Sequence, residues 1–148
     1  MKKIFLIIII LLVSSCKASS ITLENQVCFK DSAESCFNVE LAVTDEELQR
    51  GLQFRGVLFE HAGMLFVFKQ AAQHAFWMKN TLLPLDMIWL DNEGVVVHIE
   101  QNAPPCKTDN CAIYQPESQA NYVLEVNAGL CEKLGIAIGD KTKINIDL

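Results

Sequence analysis

The sequence predicts a mainly β domain, a compact β-sandwich or barrel of short antiparallel strands with two or three short helices. Three observations predict it. Short runs of alternating or continuous apolar residues recur along the chain, with turn residues between them at intervals of about ten residues. Helical patterns are few and short, too few to cover a parallel α/β sheet. The chain has 148 residues, 51% of them hydrophobic, which suffices for one core and is too apolar for disorder.

The first segment is set apart. Lys2 and Lys3, the apolar run Ile4 to Val13, and Ser14-Ser15 follow the order of a secretory signal over residues 1–15. The run is too short to span a bilayer, which takes roughly 20 residues. Val13-Ser14-Ser15-Cys16 resembles the bacterial lipoprotein box. That resemblance implies that Cys16 is diacylated, with chains such as palmitate, and becomes the new N-terminus. The competing reading is an ordinary secretory signal followed by a chance cysteine. Each buried CH₂ adds roughly 0.8 kcal/mol, so two chains anchor stably in a lipid bilayer. Residues 16–25 then form a lipidated tether and residues 26–148 a single domain. The expected location is the cell envelope. Lys17 is not the Asp that commonly retains such lipoproteins at the inner membrane, so a Gram-negative source favours the outer membrane, facing the periplasm. The formal charge is −6 and becomes more negative once Lys2 and Lys3 are removed. Without a Lys/Arg cluster, that balance argues against nucleic acid as a partner.

The elements follow in order. Gln26 to Lys30 and Cys36 to Leu41 are β-type runs around the turn-rich Asp31 to Ser35, a hairpin with a cysteine on each arm. Thr44-Asp45-Glu46-Glu47 is a capping box, and Leu48 and Leu52 share a face, so a helix runs to about Gln53. Gly63 to Phe68 reads as a strand buried on both faces. Ala75 to Lys79 is rich in aromatics. Asp86 to Leu90 is a strand, Asp91 to Gly94 a hairpin turn, and Val95 to Glu100 the answering strand, with Val95, Val97 and Ile99 inward. Tyr122 to Val126 is a strand. Ala128 to Leu134 is a short helix closed by Gly135, and Lys143 to Leu148 is the last strand.

After Cys16, five cysteines remain: Cys28, Cys36, Cys106, Cys111 and Cys131. Outside the cytoplasm disulfides persist, and Cys28–Cys36 and Cys106–Cys111 would each close a short loop worth roughly 2–3 kcal/mol on the entropic model. A zinc site and a redox-active pair are the rivals, although the spacings do not repeat a zinc pattern. Cys131 reads as a buried thiol rather than a nucleophile.

Catalytic templates fail. There is no Gly-x-Ser-x-Gly elbow and no Gly-rich phosphate loop, and His61, His74 and His98 are scattered. No catalytic residue, metal or cofactor is therefore expected, and a binding function is favoured over an enzyme.

The segment Phe76-Trp77-Met78-Lys79-Asn80-Thr81-Leu82-Leu83-Pro84-Leu85-Asp86 stands out as a polar run among aromatics. It resembles the signature of the bacterial and archaeal family known as domain of unknown function 192. The likeness continues through Arg50 to Arg55, Gly63 to Phe68, Tyr122 to Gly129, Gly135-Ile136 and Gly139-Asp140. Gln53 stands where that family usually has Met. The resemblance implies a compact, mainly β fold and carries over no activity.

The ligand-binding candidates are Arg55, Trp77, Lys79, Asn80, Asp86, Glu125 and Asn127. Trp77 and Met78 alternate faces, so one is core and the other can line a cleft. Glu125 sits mid-strand beside apolar neighbours and wants a partner, because a buried unpaired charge is costly. Three readings compete: a pocket for a small polar ligand or a protein partner in the envelope, an envelope-polymer hydrolase or lyase using Asp86 and Glu125 as acid and base, and a purely structural interaction module whose charges are all paired in an ion-pair network.

Overall fold

The computed structural model describes residues 25–30 and 32–148. The signal segment at 1–15, Cys16 and all of the 16–25 tether except Asn25 lie outside the described residues. Strands β1 (Gln26–Phe29) and β2 (Cys36–Ala42) form the expected hairpin, closed by a 3-10 turn at Ala33–Ser35. Cys28 stands opposite Cys36, and the two are joined by a disulfide. Helix α1 (Asp45–Arg50) starts as its capping box dictates: the Thr44 hydroxyl accepts from the Glu47 N–H, and the Glu47 carboxylate accepts from the Thr44 N–H. It ends at Arg50 rather than Gln53, because Gly51 turns out of helical space at φ 48°.

The long connection through α1 lets β3 (Ala62–Ala72) lie parallel to β2. This departs from the all-antiparallel pattern that the sequence predicts, as does the parallel bridge between Lys79 and Cys106. β3 also runs past Phe68, with Ala72 still pairing with Ala120. β4 (Phe76–Trp77) pairs with β7 (Ile113–Tyr114) as a separate small sheet. β5 (Leu85–Leu90), β6 (Val96–Ala103), β8 (Ala120–Asn127) and β9 (Thr142–Asn145) complete the main sheet, with the short helix α2 (Leu130–Leu134) before β9.

The main sheet has seven strands in the order β6-β5-β8-β3-β2-β1-β9. It curls into a half-barrel because its two edges approach each other. Val95 bridges Lys141, and the Thr142 hydroxyl donates to the Gly94 carbonyl at 2.8 Å. A Cβ on Gly94 would lie 2.7 Å from Thr142 Oγ1, so the approach requires glycine there.

Side-chain alternation divides the core. One cluster gathers Phe29, Phe37, Leu65, Ile88, Leu124 and Val126. The other gathers Met64, Phe66, Met87, Trp89 and Val123, with Leu52 following α1 and Met78 following β4. Each large buried side chain contributes about 1.5–3 kcal/mol. β6 corrects the expected alternation. Its pairing with β5 shifts between Trp89–His98 and Leu90–Val96, and this irregularity buries Val96 rather than Val95. Among the described residues, no helix is long and apolar enough to cross a membrane.

Candidate functional site

Glu125 lies mid-strand on β8, opposite Met64 of β3 and Met87 of β5. Those neighbours place its side chain on the face of the second cluster, among Phe66, Trp89 and Val123. It is only 5% exposed, and its Oε2 atom is buried with no hydrogen-bond partner among the described residues. Burial pushes the carboxyl up to about 8, so it is protonated at neutral pH.

Above Glu125 opens a cleft of about 240 Å³. The end of α1 and the turn after it form one wall, and Phe66, Phe68, His74, Phe76 and Trp77 form the other. Gly51 keeps the space open. A Cβ there would meet Phe66 Cζ at 3.0 Å and come within 3.9 Å of Glu125 Oε2, and its φ of 48° is left-handed as well. The aromatic wall is tied together. Phe76 packs edge-on against Phe66 at 4.8 Å and Trp89 at 5.7 Å, and Phe68 stacks on His74 at 3.5 Å. The buried Trp89 donates its indole N–H to the His74 carbonyl at 2.9 Å, which pins the turn between β3 and β4. Trp77 is 44% exposed and lines the cleft, whereas Met78 is in the core.

Lys79 and Asn80 do not line the cleft but touch Trp77 and Gln53, which do. Lys79 Nζ lies 5.8 Å from the Trp77 ring centroid and pairs with Asp109 at 3.0 Å. Asp109 belongs to the loop closed by the Cys106–Cys111 disulfide. Asn80 adopts a positive φ of 57°, a conformation asparagine tolerates. Its N–H donates to the Cys106 carbonyl, its carbonyl accepts from the Phe54 N–H, and its side-chain amide faces Gln53 of the cleft wall at 3.5 Å.

The other candidates are engaged elsewhere. Arg55 forms a two-pronged pair with Glu40, and those hydrogen bonds hold the Glu40 carboxyl below its ordinary value. Asn127 donates to the Leu58 and Phe59 carbonyls at 2.9 and 3.2 Å and so anchors the connection before β3. Asp86 is fully buried on the opposite face from Glu125, because β5 and β8 place Asp86 beside Val126 and Met87 beside Glu125. Its two oxygens accept from the Asn102 and Cys131 N–H groups at 2.8 Å each. Asp86 and Glu125 therefore do not share a site, and the acid–base arrangement read from the sequence is not formed. Cys131 is a free, buried cysteine whose thiol is pushed up by burial and by the neighbouring Asp86 charge.

Sequence reasoning missed Gly51, Phe66, His74, Phe76 and Thr81 as cleft residues. Phe66 and Gly51 lie in motifs that carry the family resemblance, but nothing local marks them as facing one space. Among the described residues, no group of three or more His, Cys, Asp or Glu could hold a metal ion.

The family model DUF192, described as "Uncharacterized ACR", matches residues 27–144. The chain belongs to the DUF192 family. A crystal structure from Sinorhizobium meliloti 1021, described as a candidate transcription regulator, is similar at 35% identity with a TM-score of 0.73, covering 81% of this chain and 92% of that one. A crystal structure of a protein of unknown function from Novosphingobium aromaticivorans DSM 12444 is similar at 34% identity with a TM-score of 0.70, covering 80% and 82%. No curated protein matches the chain. The DUF192 membership agrees with the mainly β architecture and assigns no activity.

Proposed function

We propose that this DUF192 member is a lipid-anchored envelope protein whose aromatic cleft binds a small molecule carrying a polar group and an apolar face, without transforming it. The observation that carries the reading is the buried Glu125 carboxyl, unpartnered at Oε2, at the floor of an open aromatic cleft. Buried polar atoms in native proteins almost always have a partner, and a ligand in the cleft beside Glu125 would supply one. A hydrolase needs a second carboxylate or a nucleophile in reach. Asp86 is on the other face with both oxygens engaged. The candidate regulator role of the Sinorhizobium protein is not carried over, because this chain is acidic, at −6.

The anchoring half of the proposal is supported by Lys2-Lys3, the apolar run and Val13-Ser14-Ser15-Cys16, together with two disulfides that suit an oxidising compartment. A thermal-shift screen of the full chain in detergent against envelope sugars, peptides, amines and metals tests the binding half. A ligand should raise Tm in a concentration-dependent way, and Gly51→Leu, which fills the cleft, should abolish the rise. A screen without hits, or hits indifferent to Gly51→Leu, would reject it.

A further inference from the structure

We propose that the cleft takes an organic amine, a primary or secondary ammonium group donating to the Glu125 carboxyl while its carbon neighbours lie against Phe66, Phe76 and Trp77. This inference rests on the small-ligand reading and names the ligand class. Three observations carry it. Glu125 is 5% exposed with Oε2 lacking a donor, and an ammonium N–H supplies both the donor and the opposite charge. None of the protein's own cations near the family motifs pairs with Glu125: Arg55 binds Glu40, Lys79 binds Asp109, Lys133 binds Glu60, and Arg50, which lines the cleft, leaves Glu125 shifted by burial alone. One wall is aromatic, and aromatic faces attract ammonium groups held near a ring centroid. The net charge of −6 also draws cations toward the molecule.

The chemistry has a proton balance. The free carboxyl is neutral up to about pH 8, and a bound ammonium favours the carboxylate. Binding therefore forms an ammonium–carboxylate pair and releases the Glu125 proton to the buffer. The charged or titratable side chains lining the cleft besides Glu125 are Arg50 from α1 and His74 from the turn after β3. β4 contributes Phe76 and Trp77, and β3 and β5 place Met64 and Met87 opposite Glu125, none of which titrates.

The test is calorimetric titration of the full chain in detergent with cyclohexylamine, its neutral isostere cyclohexanol and the anion cyclohexanecarboxylate. Each is measured at pH 6, 7 and 8, in two buffers of different ionisation heat. Cyclohexylamine stays protonated throughout. It should bind at least tenfold more tightly than cyclohexanol at pH 8, tighten by about tenfold per pH unit from pH 6 to 7, and release a proton. Glu125→Gln should remove the preference and the pH dependence, and His61→Gln, outside the cleft, should keep both. The probe comparison on the unsubstituted chain decides even where Glu125→Gln weakens the fold. Equal binding of cyclohexylamine and cyclohexanol would overturn the amine assignment and leave the small-ligand reading standing. A preference for cyclohexanecarboxylate that Arg50→Gln removes would replace it with an anion site. Absence of binding by all three would overturn it as well, with the thermal-shift screen deciding the broader reading separately.

Discussion

Replacing Glu125 by Gln keeps the side chain's shape and removes its titration, so the variant isolates what the buried carboxyl does to stability. In the folded protein burial raises this group to about 8 from an ordinary 4.5. Between those values the folded state holds a proton that the unfolded state has lost. Stability therefore falls as pH rises, by about 1.4 kcal/mol per pH unit. Below 4.5 both states are protonated and the full stability is present; above about 8 both are ionised and the loss is complete. Integrated, the loss is about 2.5 kcal/mol from pH 5 to 7 and about 5 kcal/mol over the whole window. Those are large fractions of the 5–15 kcal/mol that typically holds a domain together. The assay is urea unfolding of both proteins at pH 5, 6, 7 and 8, with the difference in unfolding free energy plotted against pH. Unmutated protein should lose ground to Glu125→Gln steadily across the series, whatever constant offset the buried amide introduces. A difference that stays flat within about 0.5 kcal/mol from pH 5 to 8 would refute the burial argument.

Other outcomes follow from the same structure. Asp86→Ala orphans the buried Cys131 N–H and the half-buried Asn102 N–H and should cost about 2–4 kcal/mol in urea unfolding, whereas Lys79→Ala, whose partner Asp109 is exposed, should cost under about 1 kcal/mol. Comparable losses in the two variants would contradict these roles. Mass mapping under non-reducing conditions should find Cys28–Cys36 and Cys106–Cys111, and Cys131 should resist thiol reagents until the protein is unfolded. Cys16→Ser should abolish fatty-acid labelling and membrane attachment; continued labelling would remove the anchoring proposal.

Much of the fold is written locally. The capping box at Thr44 and Glu47, the cysteine-flanked hairpin and the Gly135 cap each need only neighbours in sequence, and each forms. Non-local features are different. The parallel pairing of β2 and β3 depends on where the chain returns after α1, which no local pattern encodes. The irregularity that buries Val96 follows from the register against β5, and a strict period of two misses it. At the site, alternation along β8 puts Glu125 on the face of Val123, and Trp77 emerges opposite Met78. Partners were not legible in the same way. Arg55 and Lys79 reach Glu40 and Asp109 instead of Glu125, because long side chains choose among spatial neighbours. Asp86 does accept backbone N–H groups, as a carboxylate at the head of a strand often does, but that β6 and α2 supply them follows only from the fold.

The proposed binding site is the space over Glu125. Amide and indole chemical-shift mapping of the isotope-labelled full chain, titrated with the strongest thermal-shift hit, addresses it most directly. The shifts should concentrate at Gly51, Phe66, Thr81, Glu125 and the Trp77 indole N–H, and Gly51→Leu should abolish them. Shifts gathered instead on the exposed Phe54, Val57 and Phe59, with the cleft resonances unmoved, would contradict it.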